Sequence, residues 1–344
     1  MRYPRWAASA AAAVAAVLAV GLAATACGGG TGSPDHADGS AGPGFPVRIR
    51  SALGTAAIPA TPKRVVTIGW GSQDVALALG VVPVGMQDFT GDTGDTTGVL
   101  PWDQARLGGA KPVQIKATGT EVPYERVAAL RPDVILAVNS GVTDAQYAKL
   151  SKIAPTVGYP GKPWMTSWED QTRLVGRALG RTGRAAGLIT TTKARIAKEA
   201  KRHPEFRGKT VAFGSGTEPG SVNFYYDADA RVELLRQLGF TPAPSVSRLG
   251  AGGSRNSFAK QVSMEKLPGV RADVLVAWYL SPSVRTAVEG SPLFRKLRPV
   301  RDGAYVPLTD PGLVYATSAP SVLSLPWMMD RYVPKLSAAA GRAG

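Results

Sequence analysis

At 344 residues, 44% of them hydrophobic, the chain can bury a large core and divides more naturally into two lobes than one. Its 40 Lys and Arg stand against 25 Asp and Glu, a formal net charge of +15. This excess is spread thinly along a chain that reads as exported, which argues against a nucleic-acid binder and for an anionic surface or ligand. One cysteine and two histidines exclude a disulfide framework and leave neither a Cys/His metal site nor a catalytic thiol to assemble.

The opening MRYPRW and the uncharged run from Ala7 to Ala26 have the basic start, short apolar core and small-residue end of a signal peptide over residues 1–26. The ending LAATAC resembles a bacterial lipobox, with Ala24 where leucine is usual. Cys27 is therefore the expected lipidation site and mature N-terminus. Loss of Arg2 and Arg5 leaves 38 bases against 25 acids, a net charge of +13. Residues 27–45 are rich in Gly, Ser, Asp and Pro and predict a flexible tether.

The folded part opens with KRVVTI, a β-branched run that stops at Gly69-Trp70-Gly71. SQDVALALG follows as a short helix, with Ser72 as its N-cap and Gly80 as its stop. VVPVGMQD then predicts a second strand, and a βα unit of this kind implies a parallel sheet covered by helices. Residues 90–118 read as loops. A helix is predicted from Pro123 to Leu130, a buried strand after Asp133 and a helix over 144–155, closing an N-terminal α/β lobe at 46–165.

Residues 166–203 contain no proline and predict two connecting helices, about 166–181 and 184–202. The second is long enough to pass between lobes, and its basic run reads as a solvated face. After Pro204 the pattern restarts in a C-terminal lobe, 204–344: GKTVAFG as a strand, RVELLRQLG as a helix, then MEKLPGVRADVLVAW. That phrase repeats YERVAALRPDVILAV, residues 124–138, at an offset of 140. Glu125 and Glu265 each stand eight residues before an aspartate, Asp133 or Asp273, that opens an apolar run. The wider order of elements agrees, so the two lobes read as a duplication.

Enzyme signatures are missing: there is no GxSxG elbow and no GxxxxGK[ST] loop. Five of the seven tryptophans, Trp70, Trp102, Trp164, Trp168 and Trp278, fall at predicted strand ends or in loops. In open α/β sheets ligands bind beyond the carboxyl ends of the strands. With Tyr225, Tyr226 and Tyr279 nearby, these residues predict an aromatic-lined cleft between the lobes. Arg231, Arg106, Arg255 and Arg285 are candidate positive partners for a polyoxygen ligand.

TPKRVVTIGWGSQDVALALGVVPVG, VPYERVAALRPDVILAVNSG, KLSKIAPTV, SMEKLPGVRADVLVAWY and SPLFRKLRPVRDGAYVPL resemble the binding proteins of iron–siderophore ABC importers. The match covers residues 60–335, and WGSQD, WMTSWEDQ and NFYYDADARVELLRQLGF are most similar to the siderophore branch of Gram-positive actinobacteria. The resemblance implies an α/β fold of two Rossmann-like lobes joined by a long connecting helix, with a ligand cleft between them. It implies a monomeric, non-enzymatic protein, lipid-anchored on the extracellular face of the cell membrane. Such a protein takes no cofactor, binds no metal directly and hands a ferric siderophore to an ABC permease and its ATPase. Trp70, Trp102, Asn139, Tyr225, Tyr226, Arg231, Trp278 and Tyr279 are the implied ligand-binding positions. Glu125 and Glu265 are the implied permease-docking pair. A haem or corrinoid binder of the same fold, a sensing or interaction module, and an anchored hydrolase are the alternatives.

Overall fold

The computed structural model describes residues 44–90, 97–117, 121–249 and 258–344. The expected signal peptide, Cys27, most of the tether and Arg255 lie outside the described residues. An antiparallel hairpin, β1 (Val47–Arg50) and β2 (Thr55–Ile58), precedes the first lobe. That lobe runs β3 (Val65–Thr67), α1 (Ser72–Ala78), β4 (Gly85–Gln87), α2 (Gln104–Leu107), β5 (Val113–Ile115), α3 (Tyr124–Ala129), β6 (Val134–Leu136), α4 (Asp144–Leu150) and β7 (Thr156–Val157). Its strands form one parallel sheet in the order β5-β4-β3-β6-β7. Every residue of β3 and β6 is buried, because helices cover both faces of a parallel sheet.

α5 (Trp168–Ala178) and α6 (Thr182–Arg202) lead to the second lobe. Ser167 starts α5 by accepting a 3.0 Å bond from the Asp170 N–H, and Gly180 turns the chain at φ +66°. With 21 residues, α6 is about 30 Å long. Ala185, Ile189, Thr192 and Ile196 form its buried stripe, and its lysines face outward. Gly183 and Gly187 lie inside α6 without breaking it.

The second lobe contains β8 (Thr210–Gly216), β9 (Ser221–Tyr225), α7 (Ala230–Leu238), β10 (Thr241–Pro242), α8 (Pro244–Leu249), β11 (Ala259–Ser263) and β12 (Val274–Tyr279). It continues with α9 (Pro282–Gly290), α10 (Pro292–Arg295), α11 (Arg298–Arg301), β13 (Tyr305–Leu308), α12 (Pro311–Ser318) and α13 (Ser324–Arg342). β10, β8, β12 and β13 are parallel, whereas β9 runs antiparallel to β8 and β11 antiparallel to β9.

The repeated phrase performs one job twice. Asp133 accepts from the Lys63 and Arg64 N–H groups at 2.7 and 3.0 Å, fastening β6 to the entry of β3. Asp273 accepts from the Thr210 N–H and hydroxyl, both at 2.8 Å, fastening β12 to the entry of β8. The two copies differ upstream: Tyr124–Ala129 is an α-helix, but Pro268 holds Met264–Gly269 to a 3-10 turn. Ser72 proves to be the first buried residue of α1, and the cap position belongs to Gly71 at φ +77°.

One hydrophobic cluster runs through the molecule. It includes Val65 and Leu136 of the first sheet, Ala178, Ile189 and Ile196 of α5 and α6, and Val211, Val276 and Leu336 of the second lobe.

Candidate ligand cleft

The turn after β3 is held from three sides. The Gly69 N–H meets Gln87 Oε1 at 3.3 Å, and the Trp70 N–H donates to the Asn139 carbonyl at 2.9 Å. Gln171 Nε2 donates to the Trp70 carbonyl at 2.6 Å. Gly69 and Gly71 take positive φ, so the chain can reverse and present Trp70 outward. The Trp70 ring lies 5.1 Å from Trp164 and 5.5 Å from Tyr315. Trp164 is 39% exposed and has φ +61°, a rare conformation for a bulky side chain that costs about 1–3 kcal/mol and concentrates at functional sites.

Trp70 faces the second lobe across a cleft of about 360 Å³. The opposite wall consists of Arg231, Trp278, Tyr279, Leu280, Pro311, Val314, Tyr315 and Ser318. Trp278, Tyr279 and Leu280 line it because β12 ends there. Arg231 is fixed before any ligand arrives. Its guanidinium carbon sits 4.1 Å over the Tyr225 ring, Nη1 contacts both Asp229 oxygens at 3.0 and 3.1 Å, and Nε donates to Ser318 Oγ at 3.2 Å. Nη2 is the edge with no hydrogen bond among the described residues. The Tyr279 hydroxyl is engaged inside its own lobe: it bonds Tyr305 at 2.7 Å, and Tyr305 donates to Glu289 at 2.8 Å. Burial, followed by the Glu289 charge, pushes Tyr279 up to about 12 despite the opposing Tyr305 bond, so it stays neutral. Its ring lies against Gly216, where a Cβ would come within 2.6 Å.

The structure therefore brings Trp70, Arg231, Trp278 and Tyr279 to one cleft and distributes the other expected residues around it. Asn139 is buried behind the Trp70 turn, its Oδ1 without a hydrogen-bond partner among the described residues. Tyr225 is 5% exposed; its hydroxyl donates to Ser215 at 3.1 Å and its ring supports Arg231. The reason is β9: a strand covered on both faces sends Phe224 to one core and Tyr225 to the other. Tyr226, half-buried, packs with the second core. Trp102 lies in the main core, donating from Nε1 to Asp74 at 2.6 Å and packing 5.2 Å from Trp327. Arg106 is exposed on α2, and Arg285 pairs with Glu289 at 2.8 Å. Leu280, Pro311, Val314, Tyr315 and Ser318 are the wall residues that sequence reasoning missed. Among the described residues, no three His, Cys, Asp or Glu gather as a metal site.

Residues 65–304 match the family described as periplasmic binding protein. The chain belongs to that family. It is a substrate-binding protein rather than an enzyme. It is 28% identical over 267 residues to the probable siderophore-binding lipoprotein YfiY of Bacillus subtilis, covering 74% of this chain and 78% of that one. It is also 28% identical over 255 residues to the Fe(3+) dicitrate-binding periplasmic protein FecB of Escherichia coli, covering 74% and 79%. Among solved structures it resembles Streptococcus pneumoniae PiaA in complex with ferrichrome, with a TM-score of 0.76 and 32% identity over 86% of this chain and 99% of that one. A periplasmic solute-binding protein of Mycobacterium smegmatis gives a TM-score of 0.73 at 32% identity, with the same coverage.

Within this periplasmic binding protein a buried acid pair ties the lobes together. Asp74 Oδ2 accepts from Trp102 Nε1 at 2.6 Å and from the Ser321 hydroxyl, which reaches over from the second lobe, at 2.5 Å. Burial raises the Asp74 carboxyl to about 6 against these bonds. Burial and the neighbouring Asp74 charge hold Asp103 well above the usual carboxylate range. Both carboxyls therefore hold their protons to higher pH than free carboxyls do. Glu125 and Glu265 are both exposed, one on each lobe. The backbone N–H of Glu265, helped by the Ser263 hydroxyl, holds its carboxyl below the usual range.

Proposed function

We propose that the cleft captures a ferric siderophore and that the protein delivers it to an ABC permease. In this reading Cys27 carries the lipid that anchors it on the extracellular face of the cell membrane. The observation that carries the reading is the cleft itself: aromatic walls from both lobes and one arginine oriented before binding. Such a site suits a rigid chelate that presents apolar surface and a few oxygens. The siderophore-related names of relatives that align across both lobes support the same ligand class. Iron stays within the chelate, held by siderophore oxygens. The lobes at 46–165 and 204–344 act as the two jaws, joined through 166–203.

Glu125 and Glu265 supply one acid per lobe for a permease with paired subunits. Exposed ion pairs of this kind are worth under about 1 kcal/mol each, so they set register more than affinity. Titration of intrinsic tryptophan fluorescence with ferric hydroxamates, ferric catecholates, haem and cobalamin tests the ligand. Quenching at micromolar ferric chelate is expected, and no response to any of them removes the proposal. Changing Glu125 and Glu265 together to alanine is expected to abolish uptake while leaving chelate binding intact; normal uptake would dismiss the docking pair.

A further inference from the structure

We infer that the cleft is built for a chelate of no net charge carrying apolar surface, and that Asp229 makes it so by neutralising Arg231. This inference rests on the proposed capture of a ferric chelate and adds its charge class.

Arg231 is the cationic residue in the cleft wall among the described residues, and its charge is already matched. The Arg231 and Asp229 side chains are 10% and 8% exposed, and one guanidinium nitrogen lies within 3.0 and 3.1 Å of the two carboxylate oxygens. A buried pair of this geometry carries no net charge, so a third group meets a dipole rather than a full positive charge. What remains is the Nη2 edge, a directional N–H donor for a carbonyl or hydroxamate oxygen. Apart from Ser318, whose hydroxyl accepts from Arg231, the rest of the wall is apolar or aromatic, and Leu280 at the rim is 66% exposed. Beside the cleft is a smaller cavity of about 70 Å³, lined by Glu169, Asp229 and Glu233 together with Trp164 and Trp168. Lys193 and Arg236 pair with Glu169 and Glu233, so this neighbour adds no surplus positive charge either. A polyanionic chelate entering here loses its hydration against indole and aliphatic carbon and finds no unmatched cation among the described residues, which disfavours it. An uncharged chelate avoids that cost and gains from covering Trp70, Leu280 and Val314.

The experiment compares ferrichrome, an uncharged trihydroxamate, with ferric enterobactin, a trianionic tris-catecholate, by tryptophan quenching of the full mature protein and of Asp229→Asn. Asparagine preserves the helix cap at this position and removes the charge. The wild type is expected to bind ferrichrome at least about tenfold more tightly. Asp229→Asn is expected to narrow that ratio about tenfold by strengthening binding of the trianion. Equal or tighter binding of ferric enterobactin by the wild type overturns the inference, as does an unchanged ratio in a variant that retains native circular dichroism. Should Asp229→Asn not fold, the wild-type ratio decides alone. If uncharged and anionic chelates both fail to bind, the capture reading falls, and this inference with it.

Discussion

The Trp70 platform depends on the residue before it. Gly69 sits at φ +82°, and a Cβ there would lie 2.5 Å from the Asn139 carbonyl and 2.7 Å from Ser140 Cβ. The obstacle is backbone, which cannot swing aside as a flexible side-chain tip can. Gly69→Ala is therefore expected to cost about 2 kcal/mol or more, adding the strain of the left-handed conformation to the clash. Thermal unfolding reads the stability loss, and weaker chelate quenching reads the displaced indole. At this scale the sequence was informative where chain direction decides the outcome. Trp70, Trp278 and Tyr279 follow parallel strands, and residues there must emerge at the carboxyl ends. It was silent where the partner is remote: nothing local to Trp102 says that Asp74 would take its N–H. Tyr315 stood among apolar neighbours in PGLVYATS, where an aromatic residue reads as ordinary core.

Two glycines on the connecting helices separate packing from propensity. A Cβ on Gly176 of α5 would lie 2.4 Å from Ala185 Cβ of α6, so these helices meet at van der Waals limits. A Cβ on Gly187 would meet nothing within 4 Å. Gly176→Val is expected to destabilise by about 1–3 kcal/mol through overpacking. Gly187→Ala is expected to stabilise by about 0.5–1 kcal/mol through helix propensity alone. Urea melts of the two variants check both signs. The longer helices and the strands around β3, β6, β8 and β12 were legible because their apolar periods are strong and Gly or Pro marks their ends, whereas the short α2 and β5 fell in residues 90–118, read as loops. The β1–β2 hairpin, β9 and β11 were not. SVNFY alternates polar and apolar only over Ser221–Phe224, too short to stand out, and its partner AKQVS lies 34 residues or more downstream, paired through a register no local rule supplies. That reversed strand also moved Tyr225 from the expected cleft wall to a post behind Arg231.

For the molecule as a whole, the Asp74–Asp103 pair joins pH to the contact between lobes. Both carboxyls are raised, so the folded state holds more protons than the unfolded chain, and their contribution to stability declines as pH rises. It is complete below the unfolded carboxylate value of about 3.9, and is lost as pH rises through about 6 for Asp74. Glu205, Glu233 and Asp273 are lowered and act with the opposite sign, losing stability in acid. The difference between wild type and Asp103→Asn isolates the pair. The variant is expected to show a flatter Tm between about pH 4 and 6, and an unchanged slope would place the pH dependence elsewhere.

The hydrophobic cluster that passes without a break from Val65 through Ile189 to Leu336 makes the two lobes thermodynamically one body. Each sheet closes a core of its own on one face, but the other face packs into the shared cluster with α5, α6 and α13, so a single lobe expressed alone would present that seam to water. Heat should melt the mature protein in one transition whose calorimetric and van't Hoff enthalpies agree. Although its halves read as a duplication, they no longer serve as interchangeable parts: each has become half of the other's interior.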